Sequence, residues 1–225
     1  MNFKWSKGNE KLLKTQKAYE KRFHQEAFFV GFSLPQLRSE SGKVTCPFAG
    51  YCADLCYAGQ GRFKMPSVQK SHEHNLSILE THAYDEIVEL ILKDLRRMMN
   101  TTHIRLHNSG DFYARWYYKV WREVARLRQD LIFYTYTKSL PFIEWDTHTK
   151  NFRIVQSIGG KKDRFIDPNK PHSRIFESHQ DRKQLGYVDG NESDLPAVIG
   201  QIKIGLVYHG NRKLSEDSKK HLKVL

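Results

Sequence analysis

Cysteine is nearly absent from this chain. Three thiols serve 225 residues, and an odd count that small excludes a disulfide framework. Long apolar runs are absent too. No stretch of about eighteen apolar residues occurs, so no membrane-spanning helix and no membrane partner are expected. The first residues, MNFKWSKGNEKLLKTQKAYEKRF, hold neither an apolar core nor a small-residue cleavage site, and so do not read as a secretory signal. The expectation is a cytoplasmic, reducing setting. There, clustered cysteines serve as metal ligands or reactive thiols more often than as disulfides.

Acidic residues are scarce beside basic ones, 25 Asp and Glu against 37 Lys and Arg, for a formal charge of +12. Such a surplus admits a nucleic-acid partner, but its distribution argues for a solvated surface. Residues 1–25 hold seven Lys or Arg and two Glu, and residues 203–225 hold six Lys or Arg and two acids. Most of the surplus therefore sits near the two ends, where flexible segments are usual. The length and composition fit one domain. Residues 1–25 read as a basic segment packed on it or leading into it, and residues 26–225 as a single α/β domain.

Short apolar runs alternate with longer periodic ones. EAFFVGFSLP (26–35) reads as a strand that ends at Pro35. A helix is expected from Pro66, carrying Val68, Leu76 and Leu79. Another is expected over 84–100, with Ile87, Leu90, Ile91, Asp94 and Leu95 in helical spacing. HIRLHNSGDF (103–112) reads as a short alternating strand running into a turn. Residues 113–129 return to helical period, with Trp116, Val120, Trp121, Val124 and Leu127 on one side. Strands are expected at 131–139, 152–160 and within 199–210, a short helix at 141–149, and mostly loop from 161 to 200, where RIFES can form a strand. Strand and helix alternating at about thirty-residue spacing mark βα units around a parallel sheet. Five or six units are too few for a full eight-stranded barrel, so the fold class predicted is α/β, a partial (βα) barrel. Functional groups of such folds gather where strands end.

The cysteines lie at such an end. Cys46, Cys52 and Cys56 fall within eleven positions of one loop, 44–63, spaced C-x5-C-x3-C. Packing alone has no need for adjacent thiols. A structural zinc normally takes four ligands, which His72 or His74 would complete here. A cubane cluster takes one thiolate per iron, so three cysteines hold three irons and leave the fourth open. Small residues at Ala49, Gly50 and Ala53 let the backbone curl round such a group. Other strand ends bring His107, Asn108, Ser109, Gly110 and Asp111, then Thr137, Lys138 and Ser139, then Gln156, Ser157 and paired glycines, and last Tyr208, His209 and Gly210. Lys138 offers a cation to an anionic ligand. Asp111 suits either ligand binding or the cap of a helix starting at Phe112.

The strand followed by a three-cysteine loop and further βα units resembles the opening of a radical S-adenosylmethionine (SAM) enzyme, whose usual spacing is C-x3-C-x2-C. A closer resemblance, carried by VGFSLP, TCPFAGYCADLCYAGQGRF, RLHNSGDFY, FYTYTKS and KIGLVYHG over residues 30–210, is to the phage gene product 88 family. The resemblance implies a [4Fe-4S]-type iron–sulfur cluster held by Cys46, Cys52 and Cys56, a phage or viral source in an infected host cell, and a fold like the radical SAM or TIM-like barrel. In radical SAM enzymes the open iron chelates SAM, and a Gly-Gly-Glu segment holds its amino group. Ser109-Gly110-Asp111 lies at the similar place, with Asp111 as acceptor.

Two cluster readings follow. In one, SAM binds and is cleaved, with an electron donor as partner. In the other, the open iron takes sulfide, thiol or another small ligand, and His107, Lys138, Gln156 and His209 line that position for redox or sulfur chemistry. A third reading, from another class, is a basic zinc-stabilised nucleic-acid-binding protein without catalysis, using the aromatics of FYTYT, Tyr113, Tyr117 and Tyr118.

Overall fold

The computed structural model describes residues 2–208. Seven strands are present among them: β1 (Phe29–Phe32), β2 (His103–Leu106), β3 (Ile132–Thr137), β4 (Phe152–Ser157), β5 (His172–Phe176), β6 (Val188–Asp189) and β7 (Lys203–Val207). They form one sheet in the order β1-β2-β3-β4-β5-β7-β6, and every pairing is parallel. The sheet is open at β1 and β6. The strands are shorter than the apolar runs predict, because each run continues into its strand-end loop.

The helices are α1 (Glu10–Phe23), α2 (Pro66–Thr81), α3 (Tyr84–Arg97), α4 (Arg115–Leu127), α5 (His179–Gln184) and α6 (Leu195–Val198). The connection expected as a helix over 141–149 is instead two single turns, Leu140–Phe142 and Trp145–Thr147. Among the described residues no helix is long and apolar enough to cross a membrane.

Both faces of the sheet are covered, which is why β2 is buried at all four positions rather than at alternate ones. On the outer face Val30, Phe32, Ile104, Leu106, Phe133, Phe152 and Ile154 pack against Leu76 and Leu79 of α2, Ile87, Ile91 and Leu95 of α3, and Tyr117, Trp121 and Val124 of α4. The inward stripe of α4 is rotated from the one predicted. Tyr117 and Tyr118 are buried, while Trp116 and Leu127 are 37% and 44% exposed.

The inner face is covered by the N-terminal segment. Leu12 of α1 and Ala197 and Val198 of α6 join Phe29, Tyr134, Val155 and Ile204. Phe29 of β1 and Ile204 of β7 share this cluster, which α1 and α6 bridge across the face. The rings of Phe29 and Tyr134, two strands apart, are 6.3 Å centre to centre, against roughly 9.6 Å for two flat strand spacings. The basic leader expected at 1–25 is thus a helix packed into the concave side. Asn9 caps it by accepting from Lys11 N. Lys11 itself reaches inward, where burial pushes its ammonium down to about 8 against the pull of Asp194.

Two of the buried histidines lie in β2 and just beyond it. His103 stacks on Phe29 at 4.2 Å, and burial drives it down to about 4. His107 is driven down to about 3 for the same reason. Both pKa values are depressed below the unfolded value near 6.5, so the unfolded chain binds more protons in acid. Their neutral-state stability is complete above about pH 6.5 and is lost as pH falls, at up to about 1.4 kcal/mol per pH unit for each ring. Urea midpoints between pH 7 and 5 check this. His103→Phe is expected to flatten the decline, and an unchanged slope would refute the assignment.

Candidate functional site

The cysteine loop is stitched over the C-terminal ends of three strands. Beyond β1, Thr45 Oγ1 donates to Pro35 O at 2.6 Å, and Thr45 N to Leu37 O at 3.0 Å. Beyond β2, Asp111 N donates to Thr45 O at 3.1 Å, and Tyr57 Oη to Asn108 O at 2.6 Å. Beyond β4, Ala49 forms a bridge with Gly160, and Lys161 N donates to Phe48 O at 2.9 Å. Three single turns, Tyr51–Ala53, Tyr57–Gly59 and Gly61–Lys64, coil the chain between these stitches.

Cys46, Cys52 and Cys56 are free thiols, each partly exposed. Burial pushes Cys46 up to about 12, with the Asp111 carboxylate adding to the rise and both other thiols contributing. Burial also raises Cys52, opposed by the Lys138 ammonium. The three sulfurs therefore share one electrostatic neighbourhood, with an acid and a cation beside them. Cys56 Sγ donates to Gln36 Oε1 at 3.6 Å.

Metal groups differ in what they ask of such a donor set. One tetrahedral zinc with bonds of about 2.3 Å draws its thiolates to within about 4 Å of one another. Among the described residues no three His, Cys, Asp or Glu groups converge on a single ion. The histidines considered as fourth ligands are engaged elsewhere: His74 Nε2 lies 2.9 Å from Asn2 O, and His72 packs beside Phe63, where burial lowers it to about 4. A cubane gives each thiolate its own iron and does not require that convergence.

Asp111 braces the site. Its Oδ1 accepts from Thr137 Oγ1 at 2.5 Å and Phe112 N at 2.7 Å, and its Oδ2 from Lys138 N at 2.9 Å. Burial raises its pKa against the pull of these bonds. It ties β2 to β3, and it is not the cap of α4, whose N-cap is Ala114. Lys138 lies in the same group, with Nζ donating to Ser157 Oγ at 2.5 Å. Ser109 gives its carbonyl to Leu34 N at 3.0 Å. Gly110 has φ +80°, and a Cβ there would lie 2.7 Å from Leu34 Cβ, so only glycine fits the turn.

Other predicted residues point elsewhere. His107, at φ +61°, leaves the strand parity and turns to the helix layer, its nitrogens 3.2 Å from Thr135 Oγ1 and Tyr117 Oη. Gln156 shares the outer face of β4 with Ile154 and pins the next loop, accepting from Asp167 N and donating to Asp167 O, each at 2.8 Å. His209 lies outside the described residues.

Beneath the loop, the inner face carries a polar group that sequence reasoning missed. Arg105 Nη1 is 2.9 Å from Asp194 Oδ2, and the hydroxyls of Tyr134 and Tyr136 donate to the same carboxylate at 3.4 Å. Lys11 Nζ is 3.8 Å from it. Burial works against the Arg105 charge, but Asp194 together with Tyr57, Tyr134 and Tyr136 outweighs it and holds the guanidinium above its ordinary value. Arg105 in an apolar strand was a visible signal, whereas Asp194 lies where the pattern fades.

Comparison with known proteins places the chain in a family without naming a reaction. The family model "Gene product 88" matches residues 3–222. The chain is 30% identical over 102 residues to the "Gene 88 protein" of Mycobacterium phage L5, covering 42% of this chain and 43% of that protein. Against the "Gene 88 protein" of Mycobacterium phage D29 it is 29% identical over 102 residues, 42% of each. The matched region spans less than half the length of these relatives. No solved structure matches the chain. With nearly its whole length under one family model, the chain belongs to the gene product 88 family.

Proposed function

We propose that this is a viral iron–sulfur protein. In it Cys46, Cys52 and Cys56 each hold one iron of a [4Fe-4S]-type cluster, and the fourth iron takes a small exogenous ligand such as sulfide, a thiol or substrate. One observation carries the reading. All three thiols of the chain lie on a single loop stitched over three strand ends, and Cys52 and Cys56 both add to the rise of Cys46. A bound cluster supplies one-electron chemistry and a Lewis-acidic iron. Lys138 sets a cation beside Cys52, which favours its thiolate. Asp111 holds the β3 end that carries Lys138 in register with the loop.

The curled sheet, with β1 to β5 in sequential order and α1 filling its concave side, suits a partial (βα) barrel. An electron donor is the partner such a cluster needs, and the infected host's cytoplasm is the reducing setting it fits. The SAM reading asks Asp111 for a free carboxylate, yet three donors already occupy it and it is 7% exposed. The geometry therefore favours a smaller ligand.

Alanine substitution of each cysteine tests the ligand set. Cys46→Ala, Cys52→Ala and Cys56→Ala, purified anaerobically, are each expected to lose the broad visible absorbance of a cluster. Full iron retention in Cys52→Ala would show the set to be wrong. Reduced wild type given SAM is expected to form neither methionine nor 5′-deoxyadenosine, and their formation would move the reading to radical chemistry.

A further inference from the structure

We propose that the inner face of the sheet, beneath the cysteine loop, holds a seat for a small oxyanion built on Arg105 and Asn108. Both side chains are buried, at 8% and 2% exposed. Yet Arg105 Nε and both amide atoms of Asn108 have no hydrogen-bond partner. A buried polar group left unpaired costs about 1–3 kcal/mol, so three such atoms on two residues joined through one tyrosine hydroxyl mark a place built for something else. The Asn108 carboxamide lies over Gly31, where a Cβ would collide with it, and Gly31 is the β1 partner of Arg105.

One hydroxyl joins the two groups. Tyr57 Oη donates to Asn108 O at 2.6 Å and accepts from Arg105 Nη2 at 3.4 Å. Tyr57 nevertheless keeps 55% of its surface open. The hydroxyl end of Tyr57, next in sequence to Cys56, is thus anchored at the group while the rest of its ring faces outward.

Charge completes the argument. Arg105 and Lys11 both converge on the single carboxylate of Asp194. A buried guanidinium and a partly buried ammonium facing one buried carboxylate leave a surplus of positive charge in low dielectric, which a bound anion neutralises. Arg105 Nε–H and Asn108 Nδ2–H are donors for its oxygens, and Asn108 Oδ1 accepts from a hydroxyl or amino group beside them. The class is thus a compact carboxylate or phosphate carrying one donor. The inference deepens the proposed function by naming a substrate class, and it rests on that reading only for the chemistry that follows binding.

Thermal unfolding of metal-free protein with inorganic phosphate or acetate, against chloride at equal ionic strength, tests the seat apart from the cluster. Wild type is expected to gain roughly 3–6 °C at saturation. The two anions distinguish phosphate from carboxylate preference, and a gain with either supports the seat. Asn108→Leu removes the unpaired atoms at similar volume. It is expected to melt about 2 °C or more above wild type without anion and to lose the anion response. Asn108→Asp, with its negative charge beside Arg105, is expected to fold and to lose the response as well. No gain beyond chloride in wild type would overturn the proposal. So would an Asn108→Leu that melts lower and responds as before, the result expected if a buried water merely bridges Asn108. A wild-type response in iron-free protein supports the seat even if iron analysis refutes the cluster.

Discussion

Asp111→Ala is expected to lower stability by about 3–5 kcal/mol, the scale for removing one member of a buried charged network. Thr137 Oγ1, Phe112 N and Lys138 N would all lose their acceptor, and alanine brings no replacement. Asp111 N would still reach Thr45 O, but the tie from β2 to β3 would be gone. Asp111→Asn keeps the shape and one acceptor oxygen, so roughly half the loss is expected. Urea unfolding of metal-free protein separates this bracing from any effect on a cluster. A loss under about 1 kcal/mol for Asp111→Ala would mean that the three bonds contribute little, contrary to their burial.

The second large effect is expected at Asp194. Asp194→Ala leaves Arg105 buried with no counter-charge and Lys11 with only the carbonyls of Gly190 and Asn191. A loss of about 3–5 kcal/mol is expected. The double variant Arg105→Leu with Asp194→Leu removes both charges and is expected to recover most of that loss, because a buried pair replaced by apolar groups is often neutral. Equal losses in the single and double variants would show that the pair is not the source of the effect. The double variant is also expected to abolish the phosphate or acetate response, since it removes a donor of the seat.

How much of this was legible in sequence depends on which side of the sheet is asked about. The outer face was, because Ile104 and Leu106 or Phe152 and Ile154 repeat at period two against amphipathic helices. The inner face was not. Its residues are charged or aromatic, and their partners are far away in the chain: Arg105 finds Asp194, and Leu12 finds Ile204. Helix α1 buries only Leu12 and Thr15, too few for a clear stripe among its lysines. β5 showed only in part, as RIFES, because His172, Ser173 and Arg174 are buried polar residues, which no hydrophobic pattern reports.

At the candidate site, strand parity separates the residues whose side is readable from those whose side is not. Gln156 lies two and four residues from Ile154 and Phe152, so counting along β4 puts it on the helix side. His107 follows no such rule, because its positive φ turns it out of the strand. Cys46, Cys52 and Cys56 needed no such count, since crowding alone singled them out. Asn108 stood in plain view within HNSGDF. Its importance lies in bonds it fails to make, and that is a property of packing.

The most direct test is iron, acid-labile sulfide and zinc analysis of anaerobically isolated protein. The account predicts a brown protein with iron and sulfide each near about four per chain and no stoichiometric zinc. A colourless protein holding one zinc, or no metal after anaerobic reconstitution, would contradict it.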